Sequence, residues 1–184
     1  MKLLRRMHIT LAFLLFAFVS PVLAQSQSAA VPAQATVGVL HPADLTSILP
    51  PSVFFRGQSA STQLRNSGGV RFADGALVLV ALVDNSGYSS GIQQKYQAYL
   101  LTEAPLDFGG NHLPPGAYGA GILRTGTDLK FVVMNLAAQD VFQIAAANDA
   151  KLHRPVPLQV VEGDGAGKYR LYFGRDYVEF ERAQ

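Results

Sequence analysis

Gly87-Tyr88-Ser89-Ser90-Gly91 has the spacing of a nucleophile elbow. In an elbow, a sharp turn between strand and helix lifts the serine hydroxyl clear so that a histidine can take its proton. The motif directly follows the most apolar run of the chain, and Asp140 and His153 come later in a workable order. A small secreted serine hydrolase using Ser89, Asp140 and His153 is therefore one reading. Two features weigh against it. Such a fold needs repeated strand–helix units, whereas hairpin signals dominate here. Asp84-Asn85-Ser86-Gly87 is also ordinary turn sequence. The loop reading prevails, and no catalytic residue is assigned.

Other chemistry is sparser. After the first segment, histidine occurs at His41, His112 and His153, far apart and beside prolines or turns. No pair has the spacing that aims two imidazoles at one metal. Asp84-Asn85-Ser86-Gly87 echoes the start of a calcium loop but lacks the later ligands and closing glutamate. No metal and no cofactor is expected. Tyr88, Tyr96 and Tyr99 cluster beside the Asn85–Gly91 loop, where aromatic rings can stack on sugars or peptides. The plainer alternative is that they fill sheet faces. A second polar group surrounds Phe55-Arg56-Gly57-Gln58 and includes Arg65 and Asn66. The guanidinium forks of Arg56 and Arg65 suit a carboxylate, although solvated loop charges account for them as well. The binding candidates are thus Tyr88, Tyr96, Tyr99, Arg56 and Arg65.

The elements that must position these residues begin after residue 24. Lys2, Arg5 and Arg6, the apolar run Ile9–Val19, and Val22-Leu23-Ala24 follow the order of a secretory signal peptide cleaved after Ala24. The apolar run is short for a span of ~20 residues, which favours removal over anchoring. Three cations leave with it, so 12 Lys and Arg face 13 Asp and Glu in the 160 residues that remain. That near-neutral, scattered charge predicts no nucleic-acid partner. Cysteine is absent, which excludes disulfides, thiol catalysis and lipid attachment at a processed cysteine. Residues 25–51 read as a flexible leader, with a short helix from His41 to Leu49 that Pro50-Pro51 must end.

From Ser52 to Gln184 the signals are β. Short apolar runs alternate with Gly, Asn, Asp and Pro clusters. Asn66-Ser67-Gly68-Gly69 and Asp74-Gly75 read as turns, the second a tight hairpin. Leu77–Val83 is apolar throughout and predicts a central strand covered on both faces. Tyr169, Leu171 and Phe173 alternate onto one face, as do Val178 and Phe180. Ile92–Glu103 fits helix or strand, with the surrounding pattern favouring a strand from about Tyr96. The expected fold is all-β: an antiparallel β-sandwich or small barrel of about eight to ten strands. An outer-membrane barrel would need longer segments, apolar outside and polar inside.

Leu106 to Gly121, with Gly109-Gly110 and Leu113-Pro114-Pro115-Gly116-Ala117-Tyr118, resembles a hairpin of uncharacterised secreted bacterial β-proteins. The ending Tyr169-Arg170-Leu171-Tyr172-Phe173-Gly174-Arg175-Asp176-Tyr177-Val178-Glu179-Phe180 is similar to the close of such proteins, acidobacterial ones in particular. The resemblance implies a compartment and a fold, and carries no activity. The function expected is a non-catalytic binding or interaction module, secreted or periplasmic. It would meet a carbohydrate, a peptide or an envelope protein through the loops around Asn85–Gly91 and Gly109–Gly116. A purely structural envelope role is the third class.

Overall fold

The computed structural model describes residues 36–184. The expected signal peptide and most of the strip after it lie outside the described residues. In chain order the elements are β1 (Gly38–Leu40), α1 (Pro42–Leu45), β2 (Ser52–Phe55), β3 (Gln58–Arg71), β4 (Leu77–Val83) and α2 (Ser90–Gln93). Then follow β5 (Ala98–Thr102), β6 (Leu106–Asp107), β7 (His112–Leu113), β8 (Gly116–Thr125), β9 (Asp128–Met134) and β10 (Asp140–Ala145). The chain closes with β11 (Ala147–Asn148), β12 (Leu158–Glu162), β13 (Lys168–Phe173) and β14 (Asp176–Arg182). Fourteen strands exceed the expected eight to ten because four of them span only two or three residues.

All pairings are antiparallel. One sheet runs β1-β3-β4-β5-β8-β9-β10 with β2 added on β3, and the other runs β12-β13-β14-β6-β7 with β11 added on β14. Glycine makes the tight reversals between neighbours. Gly75 (φ +90°) links β3 to β4, Gly126 (φ +60°) links β8 to β9, and Gly174 (φ +64°) links β13 to β14. The sheets face each other across a core to which β4 gives Val78 and Val80, β9 gives Phe131 and Val133, and β12–β14 give Leu158, Val160, Leu171, Phe173, Val178 and Phe180. This is a sandwich, not a closed barrel. The faces expected for β13 and β14 hold: Leu171, Phe173, Val178 and Phe180 enter the core with Tyr169 half-buried against it, while Glu179 is exposed and Glu181 half-buried. Tyr172, on the other face of β13, is buried as well.

β4 explains why an unbroken apolar run was needed. Its even residues enter the sandwich core, whereas Leu79 and Ala81 face the other way, beneath Leu40, Leu45 and Leu49. α1 therefore acts as a lid over the outer face of the large sheet. β1 pairs with β3 from Gly38↔Arg71 to Leu40↔Gly69, so chain ahead of Ser52 also joins the large sheet. Burying a leucine side chain stabilises by ~1.5–3 kcal/mol, enough for three leucines to hold this short segment on the sheet.

One local expectation changes. Asn66–Gly69 is not a turn but the interior of β3. Gln63 pairs with Leu82 and Ser67 with Ala81, so Leu64, Arg65 and Asn66 bulge out with no partner on β4. Ile92–Glu103 divides, helical through Gln93 and strand from Ala98. β10 and β11 had no clear signal, because the half-exposed β10 alternates without flanking turn glycines. They carry the chain across: Ala146 N–H donates to Leu129 O in the large sheet (2.9 Å), and Ala147 already pairs with Tyr177 in the small one.

Candidate binding cleft

Ser89 is the N-cap of α2, with φ −61° and ψ 152°. Its carbonyl accepts from Ile92 N–H and Gln93 N–H at 2.9 Å each, while its hydroxyl makes no capping bond. α2 has four residues, not the long helix that follows an elbow. The Asp140 carboxylate is occupied by Lys95 Nζ (2.7 and 3.0 Å) and Gln143 Nε2 (2.7 Å). His153 is exposed in the connection between β11 and β12. Among the described residues no hydrogen bond links Ser89, Asp140 and His153.

The loop carrying Ser89 is held from inside. Asn85 Nδ2 donates to the carbonyls of Gln93 (3.0 Å) and Tyr96 (2.6 Å), and Gln93 Nε2 donates to those of Ser86 (3.1 Å) and Tyr88 (2.7 Å). These amides satisfy carbonyls that a strand or long helix would otherwise satisfy. Asp84 accepts Ser86 N–H at 3.0 Å in the same turn. Beneath the loop, Tyr96 is fully buried and stacks on Phe55 at 3.9 Å between centroids. Tyr88 meets both rings edge-on, and its hydroxyl donates to Phe55 O (3.0 Å). Tyr99 is half-buried at the margin. The aromatic trio is a second core on the outer face of the large sheet, so Tyr88 and Tyr96 offer no ring face to a ligand.

Tyr96 carries an anomaly: its hydroxyl is buried without a hydrogen-bond partner. Burial pushes this phenol well above its ordinary pKa of 10, with Tyr88 and Tyr99 adding to the shift. An unpaired buried hydroxyl costs about 1–3 kcal/mol. Tyr96→Phe is therefore expected to stabilise the fold by about 1 kcal/mol in urea unfolding. The pH dependence has a definite sign. The unfolded phenol ionises near pH 10 while the folded one stays protonated, so stability contributed below pH 10 is lost as pH rises above it. Tyr96→Phe should flatten that alkaline decline; an unchanged slope between pH 10 and 11 would show the phenol is not the cause.

Arg56 and Arg65 do not form one group. Arg56 lies at the β2–β3 turn with φ +46°, and its N–H donates to Leu136 O (2.9 Å). Arg65 sits on the bulge, on the order of 25 Å of extended chain away. The bulge is stiffened by its own side chains: Ser67 Oγ donates to Leu64 O (2.6 Å) and Asn66 Nδ2 to Gln63 Oε1 (2.9 Å). Arg65 is thus presented from a fixed backbone.

What Arg65 faces is a cleft where the two sheets meet edge to edge. One wall is the bulge with the β1–α1 junction at Leu40-His41-Pro42, and the other is β12 with Val156-Pro157 before it. Pro157 O and Gly163 N–H are taken by Gly174 and Lys168 across β13. By strand alternation, Leu158 and Val160 then turn their N–H and C=O groups toward the cleft. Gly68 closes the seam: a Cβ there would lie 2.9 Å from Val160 N. The cleft encloses a cavity of about 260 Å³. The sequence signal for it was present in Gly68-Gly69, because paired glycines inside a strand mark close backbone approach.

The Gly109–Gly116 loop borders a wider opening. β14 pairs with β11 at Asp176–Tyr177 and with β6 at Glu181–Arg182, leaving its outer edge free between them. Glu179 faces this gap of about 350 Å³, which is floored by Phe108, Ile144 and Val178. Nearby, His112 Nδ1 lies 3.2 Å from Asp107 Oδ2 on the loop's rim. Among the described residues no three His, Asp or Glu side chains gather as metal ligands, and no helix is long and apolar enough to cross a membrane. No family profile, no curated protein and no solved structure matches the chain.

Proposed function

We propose that the protein is an exported, non-catalytic binding module that works in the periplasm or outside the cell and holds its ligand in the cleft between β3 and β12. The observation that carries this reading is the cleft itself. It is an apolar cavity with a few polar heads at its mouth, built on two rigid strands rather than on free loops. That is the usual form of a ligand site. The charged, apolar and small-residue order of residues 1–24 supports export. The test is thermal melting of the protein against a panel of sugars, short peptides, lipids and divalent metals. A ligand at a hundred times its Kd adds ~2.7 kcal/mol, several degrees in a domain of this size. A dose-dependent rise, with NMR shift changes centred on Leu158–Val161, is expected. A flat panel, or shifts centred elsewhere, overturns the cleft as the binding site.

A further inference from the structure

The geometry points to a carboxylate as the group this cleft recognises: its ligand is a compact apolar group that carries a carboxylate, the apolar part in the cavity and the anion on Arg65. The inference rests on the cleft reading above and adds the ligand's chemistry to it. Charge complementarity carries it. No Asp or Glu lines the cavity, and Arg65 is its single permanent charge, with only His41 titratable beside it. Asp44, the nearest acid on α1, accepts His41 N–H (2.9 Å) and is not part of the lining. Among the described residues Arg65 has no hydrogen-bond or ion-pair partner. Arg124, Arg170, Arg182 and Lys95, by contrast, each hold a carboxylate. The opening beside β14 has the opposite character: Glu179 is the one charged side chain in its lining, and no Lys or Arg borders it.

Size and shape narrow the ligand further. A cavity of about 260 Å³ admits one or two side chains' worth of apolar matter, not a whole added strand. The Gly68–Val160 seam also blocks a strand from running the length of β12. Pro42, Val156 and Pro157 supply the apolar surface open to a ligand, and Asn66 and Gln159 also line the cleft. A guanidinium fork binds a carboxylate through two parallel bonds, which fixes its orientation. Such a group comes from a peptide C-terminus ending in an apolar residue or from a short alkyl acid.

The experiment titrates the full chain with N-acetylleucine, N-acetylleucinamide and hexanoate, following amide shifts of Arg65 and Leu158–Val161. N-acetylleucine is expected to bind about 10- to 100-fold more tightly than its amide, the range for a hydrogen bond to a charged group. Arg65→Gln should erase that preference, and Arg65→Lys should restore part of it, since charge returns without the fork. Arg65 is exposed and unpaired, so neither variant should disturb folding. Tighter N-acetylleucine than hexanoate assigns the site to a peptide terminus, and the reverse order to an alkyl acid. Equal binding of acid and amide at the cleft, indifferent to Arg65→Gln, overturns the carboxylate inference while the cleft reading stands. Shifts at neither wall with any of the three probes overturn the inference as well, and the melting panel then decides separately whether the cleft binds anything.

Discussion

Replacing Phe55 by alanine is expected to destabilise the protein by about 3–5 kcal/mol, the usual loss for a buried aromatic ring. Phe55 is fully buried, lies against the Tyr96 ring at 3.9 Å, and takes the Tyr88 edge at 6.1 Å. Its ring also fills space that only Gly119 leaves open, since a Cβ at Gly119 would come within 2.7 Å of it. The cavity left by alanine has nothing to collapse onto it, because the neighbouring rings are fixed by their own packing and by the Tyr88–Phe55 hydrogen bond. Urea unfolding measures the loss, and near-UV circular dichroism reports the tyrosines losing their fixed environment. Ser89→Ala is the matched control: its hydroxyl makes no cap bond, so stability should stay within about 0.5 kcal/mol of the parent. A loss below about 1 kcal/mol at Phe55 would show that the trio is not a core, and would return Tyr88 and Tyr96 to the list of surface residues.

That contrast shows what residue types can and cannot announce. The apolar run of β4, the glycine reversal at Gly75, and the alternation in β13 and β14 were all legible. Each is a demand that the local backbone places on the residue occupying it. The tyrosines were ambiguous because an aromatic ring beside a loop suits a ligand or a second core equally, and only the position of β2 decides. Phe55 reaches Tyr88 and Tyr96 because β2 folds over the outer face of the sheet, a placement with no local trace. The same holds for α1, read as part of a flexible leader until Leu45 and Leu49 have β4 to cover.

Arg65 was legible as a residue but not as a place. Nearness in sequence groups it with Arg56, whereas extended chain carries the two apart and the bulge turns Arg65 toward β12. Asn66-Ser67-Gly68-Gly69 has turn composition, yet its residues answer a different requirement. Ser67 and Asn66 staple the bulge, and Gly68 and Gly69 let other backbone come close. Turn grammar and bulge grammar share an alphabet because both need small residues and side chains that bond their own backbone. What separates them is the strand alongside: β4 takes up Gln63 and Ser67 on either side of the bulge, and β12, nearly a hundred residues further along the chain, lies against Gly68.

Gly68→Val tests that partner directly. Two effects oppose each other. Valine suits a strand better than glycine by up to ~1 kcal/mol, and Gly68 is not held at positive φ, so the backbone alone would favour the change. Against this, the new Cβ would stand 2.9 Å from Val160 N and 3.2 Å from Val160 Cγ2. The first of these atoms is backbone and cannot rotate away, so β12 must move. Overpacking of this kind costs about 1–3 kcal/mol, and it should win, leaving a net loss of about 1 kcal/mol in urea unfolding. Gly91→Ala is the control, because nothing lies within 4 Å of a Cβ there and alanine is favoured over glycine in a helix. It should be neutral or slightly stabilising. The valine variant should also lose ligand binding at the cleft, since the seam and the cleft share Gly68 and Val160. A variant as stable as the parent would mean that β3 and β12 do not meet at Gly68, and that the wall on which Arg65 depends is not where β12 puts it.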